Sequence, residues 1–281
     1  MNTLKTWFLM ALLTVLMVLM GSLIGGRGGA TLFLLMAIGI NFFSYWFSAS
    51  IAIRMTRSRE LSEQEAPQLF HIMYRLTQNA GLPMPKLYLQ PSPQPNAFAT
   101  GRNPANSAVA VTEGILQILS PEELEGVLAH ELAHIKNRDV LISTLAAIFA
   151  GAITWISNAL QWTMLLGGSR DDEDNPLGIV GTLVMMIVGP IAALLIQMAI
   201  SRSREYKADA LGAQICGNPH ALANALVKLE QAAHHIPPIG MQPSTSHLMI
   251  VFPFKGSGLT SLFSTHPPIQ ERVSRLRGMR F

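Results

Sequence analysis

Four stretches carry no charged side chain over the thickness of a bilayer: Thr6 to Gly26, Gly28 to Ile53, Val140 to Ser169 and Asn175 to Ser201. A helix needs about 20 apolar residues to cross the hydrocarbon core, so the pattern predicts two membrane hairpins. Between and after them the pattern turns amphipathic. Ser62 and Glu65 make a capping-box signature, and Leu69, Ile72, Met73 and Leu76, with Gly81 beyond, predict a helix. Short β-prone runs follow at Lys86 to Leu89, Ala97 to Thr100 and Ala108 to Thr112, punctuated by proline, asparagine and glycine. They predict a small sheet. Ser120, Pro121 and Glu123 then open a second helix, whose apolar positions are Leu124, Val127, Leu128, Leu132 and Ile135. The implied division is 1–54 for the first hairpin, 55–139 for the first part of a water-exposed domain, 140–201 for the second hairpin, and 202–281 for the rest of that domain.

Composition agrees with a chain partly in lipid: 49% of residues are hydrophobic and 13% are charged, about half the usual charged fraction. If the spans alternate, one side receives Lys5, Arg54, Arg57, Arg59, Lys136, Arg138, Arg202, Arg204 and Lys207, and the other only Arg27 and Arg170. The positive-inside rule makes the first side cytoplasmic. The net charge of +3 has no arginine-rich or aromatic-interleaved tract, which argues against a nucleic-acid partner. No nucleotide-binding glycine loop is present, so no ATP binding is expected. The single Cys216 excludes an intramolecular disulfide and reads as a small buried residue.

The chemistry is concentrated in His130-Glu131-Leu132-Ala133-His134. Residues four apart share a helix face, so both imidazoles can reach one tetrahedral ion while Glu131 serves as general base. A catalytic zinc usually takes a third protein ligand, and Glu205 is the best candidate. Asp209, four residues on along a predicted second helix, is placed to orient a ligating imidazole. The charges from Glu122 to Asp139 would be too costly in hydrocarbon, so the site should sit in water beside the membrane.

With these motifs stand Asn96-Ala97-Phe98-Ala99-Thr100-Gly101 and Ser264-Thr265-His266-Pro267-Pro268. Together with the order of apolar segments, they make the chain resemble the HtpX family of membrane-bound zinc metallopeptidases, relatives of the Ste24-type CAAX prenyl endopeptidases. The resemblance spans essentially the whole length. It implies an α+β zincin-like catalytic domain with four transmembrane helices, and one Zn2+ per chain on His130, His134 and Glu205. It also implies a multi-pass protein of the bacterial cytoplasmic membrane with its catalytic domain facing the cytoplasm. Expected substrates are misfolded membrane proteins or unfolded polypeptides. By the same resemblance Asn96 lies at the substrate edge, and His266 lies near the metal as an oxyanion stabiliser or a resting-state ligand.

Two other readings remain at this point. A membrane scaffold with a structural zinc site would have no use for Glu131 between its histidines. A prenyl-peptide processing enzyme would keep the chemistry, but the short four-span layout favours quality control. His234 and His235, beside Pro237 and Pro238, read as loop residues. The run Leu248 to Phe252 lies in a long connection of the kind that often forms a lid.

Overall fold

A computed structural model describes residues 2–142, 144–145, 202–235, 249–250 and 267–280. The third and fourth apolar stretches lie almost wholly outside these residues, as does His266. The chain divides into two compact units: α1 (Asn2–Trp46) belongs to the first, and the second is made of Phe47–Thr144 and Ile200–Phe281.

Glycine makes α1 a hairpin instead of a rod. Gly25 and Gly26 leave helical geometry, and Gly26 takes a left-handed φ of 57° that a side chain would resist. The two arms then run side by side. Asn41 Nδ2 donates to the Met10 carbonyl (3.2 Å) and to Thr14 Oγ1 (2.9 Å), and a Cβ on Gly21 or Gly29 would collide with the other's backbone. Trp7, Phe8, Leu35 and Phe43 each point outward, more than half exposed. Such surface suits lipid. Gly25–Trp46 is, among the described residues, the one helix long and apolar enough to cross a membrane, and the apolar part of the other arm, Thr6–Leu19, is shorter.

The second apolar stretch, expected to run on to Ile53, is divided. Its helix stops at Trp46, and α2 (Ser48–Met55) turns Ala52 and Ile53 onto Phe98 and Ala110 of the sheet. Hydropathy cannot separate residues that face lipid from residues that face a sheet.

The sheet comprises β1 (Arg59–Glu60), β2 (Lys86–Gln90), β3 (Ala97–Gly101) and β4 (Ser107–Thr112), in the order β1-β2-β4-β3. β2 and β4 are parallel, whereas β1 pairs antiparallel with β2, and β3 with β4. β3 is therefore an edge strand. A short 3-10 turn, Pro104–Asn106, joins it to β4. Gly101, with φ of 132°, packs where a Cβ would strike the Asn106 carbonyl.

α3 (Pro67–Ala80) starts later than its sequence signature suggests. Ser62 and Glu65 do bond to each other, but inside a turn. Pro67 disfavours helical geometry at Ala66, so the helix begins at the proline itself. α4 (Glu113–Ile118) leads into α5 (Pro121–Asn137), which has the predicted capping box on Ser120 and Glu123 and ends on Arg138 in left-handed geometry, φ 54°. α6 (Arg202–Cys216), α7 (Pro219–His235) and α8 (Ile269–Arg277) complete the described helices. α7 extends through His234 and His235, which belong to its last turn and not to the expected loop.

α5 is the hub, packed against α3, α6, α7 and β3. Val127, Leu128 and Leu132 are fully buried among Met73, Leu76, Val109, Leu222 and Leu276. Burying each such leucine contributes about 1.5–3 kcal/mol. Two glycines bring backbones into contact here: a Cβ on Gly126 would lie 2.6 Å from Leu222 N, and one on Gly212 would lie 2.9 Å from His130 Cα. Gly212→Ala must therefore separate α5 from α6. We expect it to cost about 1–3 kcal/mol by overpacking, read as a lower thermal midpoint of the detergent-purified protein; an unchanged midpoint would contradict the packing described.

Candidate metal centre

Helical spacing puts His130, Glu131 and His134 on α5, and the close approach of α6 brings Glu205 to them. The imidazoles stand perpendicular, with their Nε2 atoms 3.1 Å apart. Glu205 completes a triangle, its Oε2 3.7 Å from His130 Nε2 and its Oε1 3.6 Å from His134 Nε2. Ligand atoms about 2.0–2.2 Å from a tetrahedral ion lie roughly 3.3–3.5 Å from one another, so these three donors fit a zinc-sized ion with little adjustment. Donor atoms of His130, His134 and Glu205 all lie within 4.8 Å of one another.

Each imidazole has a carboxylate behind it. Asp139 Oδ1 lies 3.1 Å from His134 Nδ1, and Asp209 Oδ1 lies 3.0 Å from His130 Nδ1, close but out of line for a good hydrogen bond. This pairing favours the proton on Nδ1 and leaves Nε2 for the metal. Burial alone would lower the His134 pKa, but Asp139, with Glu205 and Glu131 beyond, pushes it up to about 10. Without metal, His134 is thus an imidazolium at neutral pH.

Glu131 is buried on the same helix face, and its Oε2 accepts a hydrogen bond from the Ala99 N–H of β3 at 2.8 Å. Burial raises its pKa, partly offset by the two histidines. The carboxylate is accordingly a stronger base than an ordinary glutamate. The β3 register explains the bond: Asn96 pairs with Thr112, and the alternate residues Ala97 and Ala99 turn their main-chain groups to the open edge.

Arg272 of α8 is fully buried and forks onto Asp209, with Nε to Oδ2 at 2.8 Å and Nη2 to Oδ1 at 2.7 Å. Burial works against the Asp209 charge, yet Arg272 prevails and holds its pKa at about 2. Arg272 Nη1 lies 3.6 Å from Glu205 Oε2. Neither Asp139 nor Arg272 follows from the spacing of the motifs. Asp139 lies five residues beyond His134, past a helix end whose left-handed residue is an arginine, and Arg272 lies 63 residues from Asp209 with no spacing to connect them.

Of the other predicted residues, Asn96 is buried where β3 begins. Its N–H donates to Thr112 Oγ1 at 2.8 Å, and its Oδ1 accepts from the Ile250 N–H at 3.0 Å. His71 and His220 are exposed.

Because a metal on Nε2 must displace a proton from the His134 imidazolium, apparent zinc affinity should rise about tenfold per pH unit between pH 7 and 9. Asp139→Asn, which removes the main support for that proton, should flatten the slope. Chelator competition across this range reads both, and a pH-independent affinity in the unaltered protein would contradict the assignment.

Residues 63–280 match the model of peptidase family M48. The chain is 60% identical to a "Protease HtpX homolog" of Pelotomaculum thermopropionicum over 280 residues, covering 99% of each chain. It is 53% identical to a protein of the same name from Desulfatibacillum aliphaticivorans, covering 99% of this chain and 90% of that relative. Among solved structures it matches the crystal structure of S. mikatae Ste24p at 19% identity and a TM-score of 0.47, covering 97% of this chain and 67% of that one.

Proposed function

The chain belongs to peptidase family M48 and is a membrane-bound metalloprotease; from the geometry of its site, we propose that it is an endopeptidase holding one Zn2+ through His130, His134 and Glu205. The observation that carries this reading is the convergence of two Nε2 atoms and one carboxylate beside a fourth group, Glu131, that the metal does not need. A scaffold built around structural zinc gains nothing from Glu131 and usually closes its fourth position with another side chain.

A zinc ion bound there would supply Lewis acidity for the scissile carbonyl and for the attacking water. Glu131 takes the proton from that water and delivers it to the departing amine, so the chain needs no nucleophile of its own. The Ala99 N–H fixes one Glu131 oxygen and leaves the other for the proton. Main-chain groups of Ala97 on the open edge of β3 suit an extended peptide, which can add to the sheet with little regard to its side chains. By the family resemblance, Asn96 at the start of β3 would help hold the peptide backbone. Asp209 keeps His130 in its metal-binding tautomer. By the family resemblance, His266 would act as an oxyanion stabiliser or a resting-state ligand.

Weak side-chain selectivity suits unfolded polypeptide and exposed segments of misfolded membrane proteins, which we take as the substrates. We take the four apolar stretches as spans in the cytoplasmic membrane of a bacterium, and the arginine and lysine asymmetry then favours a catalytic domain in the cytoplasm. A substrate anchored in the same bilayer meets the site by lateral diffusion.

Glu131→Gln should lower the rate of casein cleavage by about 10²–10⁴, the usual contribution of a general base, at zinc content equal to that of the unaltered protein. Equal cleavage rates would remove Glu131 from the mechanism. Two inert proteins that both hold zinc would favour a structural site.

A further inference from the structure

Arg272 is fully buried, and its guanidinium is only partly used by its neighbours. Nε and one Nη2 hydrogen grip Asp209, Nη2 also lies 3.5 Å from His130 Nε2, and Nη1 has no hydrogen-bond partner. Nη1 faces Glu205 Oε2 at 3.6 Å. An unsatisfied buried donor destabilises a fold, and more so when it is charged. The arrangement is therefore explained better by what Arg272 does for its neighbours than by its own stability. Asp209 backs His130, and Glu205 bridges towards both imidazoles, so one side chain touches the support of one metal-binding residue and the carboxylate of another.

We propose that Arg272 is a positioning residue of the metal centre: its fork holds Asp209 against His130 while Nη1 steers the Glu205 carboxylate, so that two of the three ligands are set by one guanidinium. The proposal rests on the reading of His130, His134 and Glu205 as the metal ligands. Charge is part of its fitness for the place. Glu131, Asp139, Glu205 and Asp209 are all buried here, with Arg204 and Arg272 as the buried arginines beside them. A divalent ion makes the balance neutral. A lysine would preserve that balance but not the planar fork, which is what orients Asp209.

Two variants of the full-length, detergent-purified chain separate geometry from folding and from charge. Arg272→Lys keeps the positive charge and loses the fork. The pair Asp209→Asn with Arg272→Gln removes one charge of each sign, leaves no buried ion unpaired, and so should fold; any change in its zinc affinity reads orientation and not net charge. Competition for zinc against a chromophoric chelator should show affinity reduced 10- to 100-fold in both, the usual loss when the support of a ligand is removed. Asp209→Asn alone should lose less than the pair, because Nη1 of Arg272 still reaches Glu205 in it. Zinc affinity equal to that of the unaltered protein in either variant overturns the proposal, as does a loss in the pair no greater than that of Asp209→Asn alone. Metal binding, not proteolysis, is the readout, so a protein that binds zinc but cleaves nothing would defeat the peptidase reading and leave this test intact.

Discussion

The backbone contact between α5 and α6 at Gly212 and His130 is the constraint on which the centre depends. Glu205 lies two turns before Gly212 on α6, and its carboxylate reaches the imidazoles of α5 because nothing larger than hydrogen separates the helices at that glycine. Gly126 makes the same concession to α7 one turn before His130. The leucine and valine core around α5 then holds the three helices at this spacing. Packing sets the distances between donors, and the distances set which ion can be held.

Burial imposes the second condition. Carboxylates this deep are tolerated only when each is paired, and each here has a specific partner: Asp139 with His134, Asp209 with Arg272, Glu131 with the Ala99 N–H, and Glu205 with the histidines. The same pairing orients the ligands. Stability and chemistry therefore draw on one network. The sheet edge enters through Ala99, which ties the expected peptide-binding strand to the expected general base by a single hydrogen bond.

What could be read from the residues follows the range of each signal. The α5 helix, its capping box and the shared face of His130 and His134 are written within 17 residues and appear as expected. The three longer strands appear within one residue of their β-prone runs. Glu205 was reachable because zinc chemistry required a third ligand somewhere. Arg272 was not, since its relation to Asp209 exists only once α8 has packed against α6. The two-residue β1 and the turn of α2 onto the sheet also depend on neighbours distant in sequence, whereas the late start of α3 follows from Pro67 itself. In α2 an apolar pattern that fits lipid equally well is spent on the sheet instead.

The proposed chemistry rests on one metal held by two imidazoles and one carboxylate. X-ray absorption at the zinc edge on the purified, zinc-loaded chain probes that coordination without intermediaries. It should show two nitrogen ligands at about 2.0–2.1 Å and protein oxygen at about 2.0–2.2 Å, with an oxygen from water completing four-fold coordination. A sulfur scatterer at about 2.3 Å, or a shell without imidazole, would place the metal elsewhere and contradict the assignment of His130, His134 and Glu205.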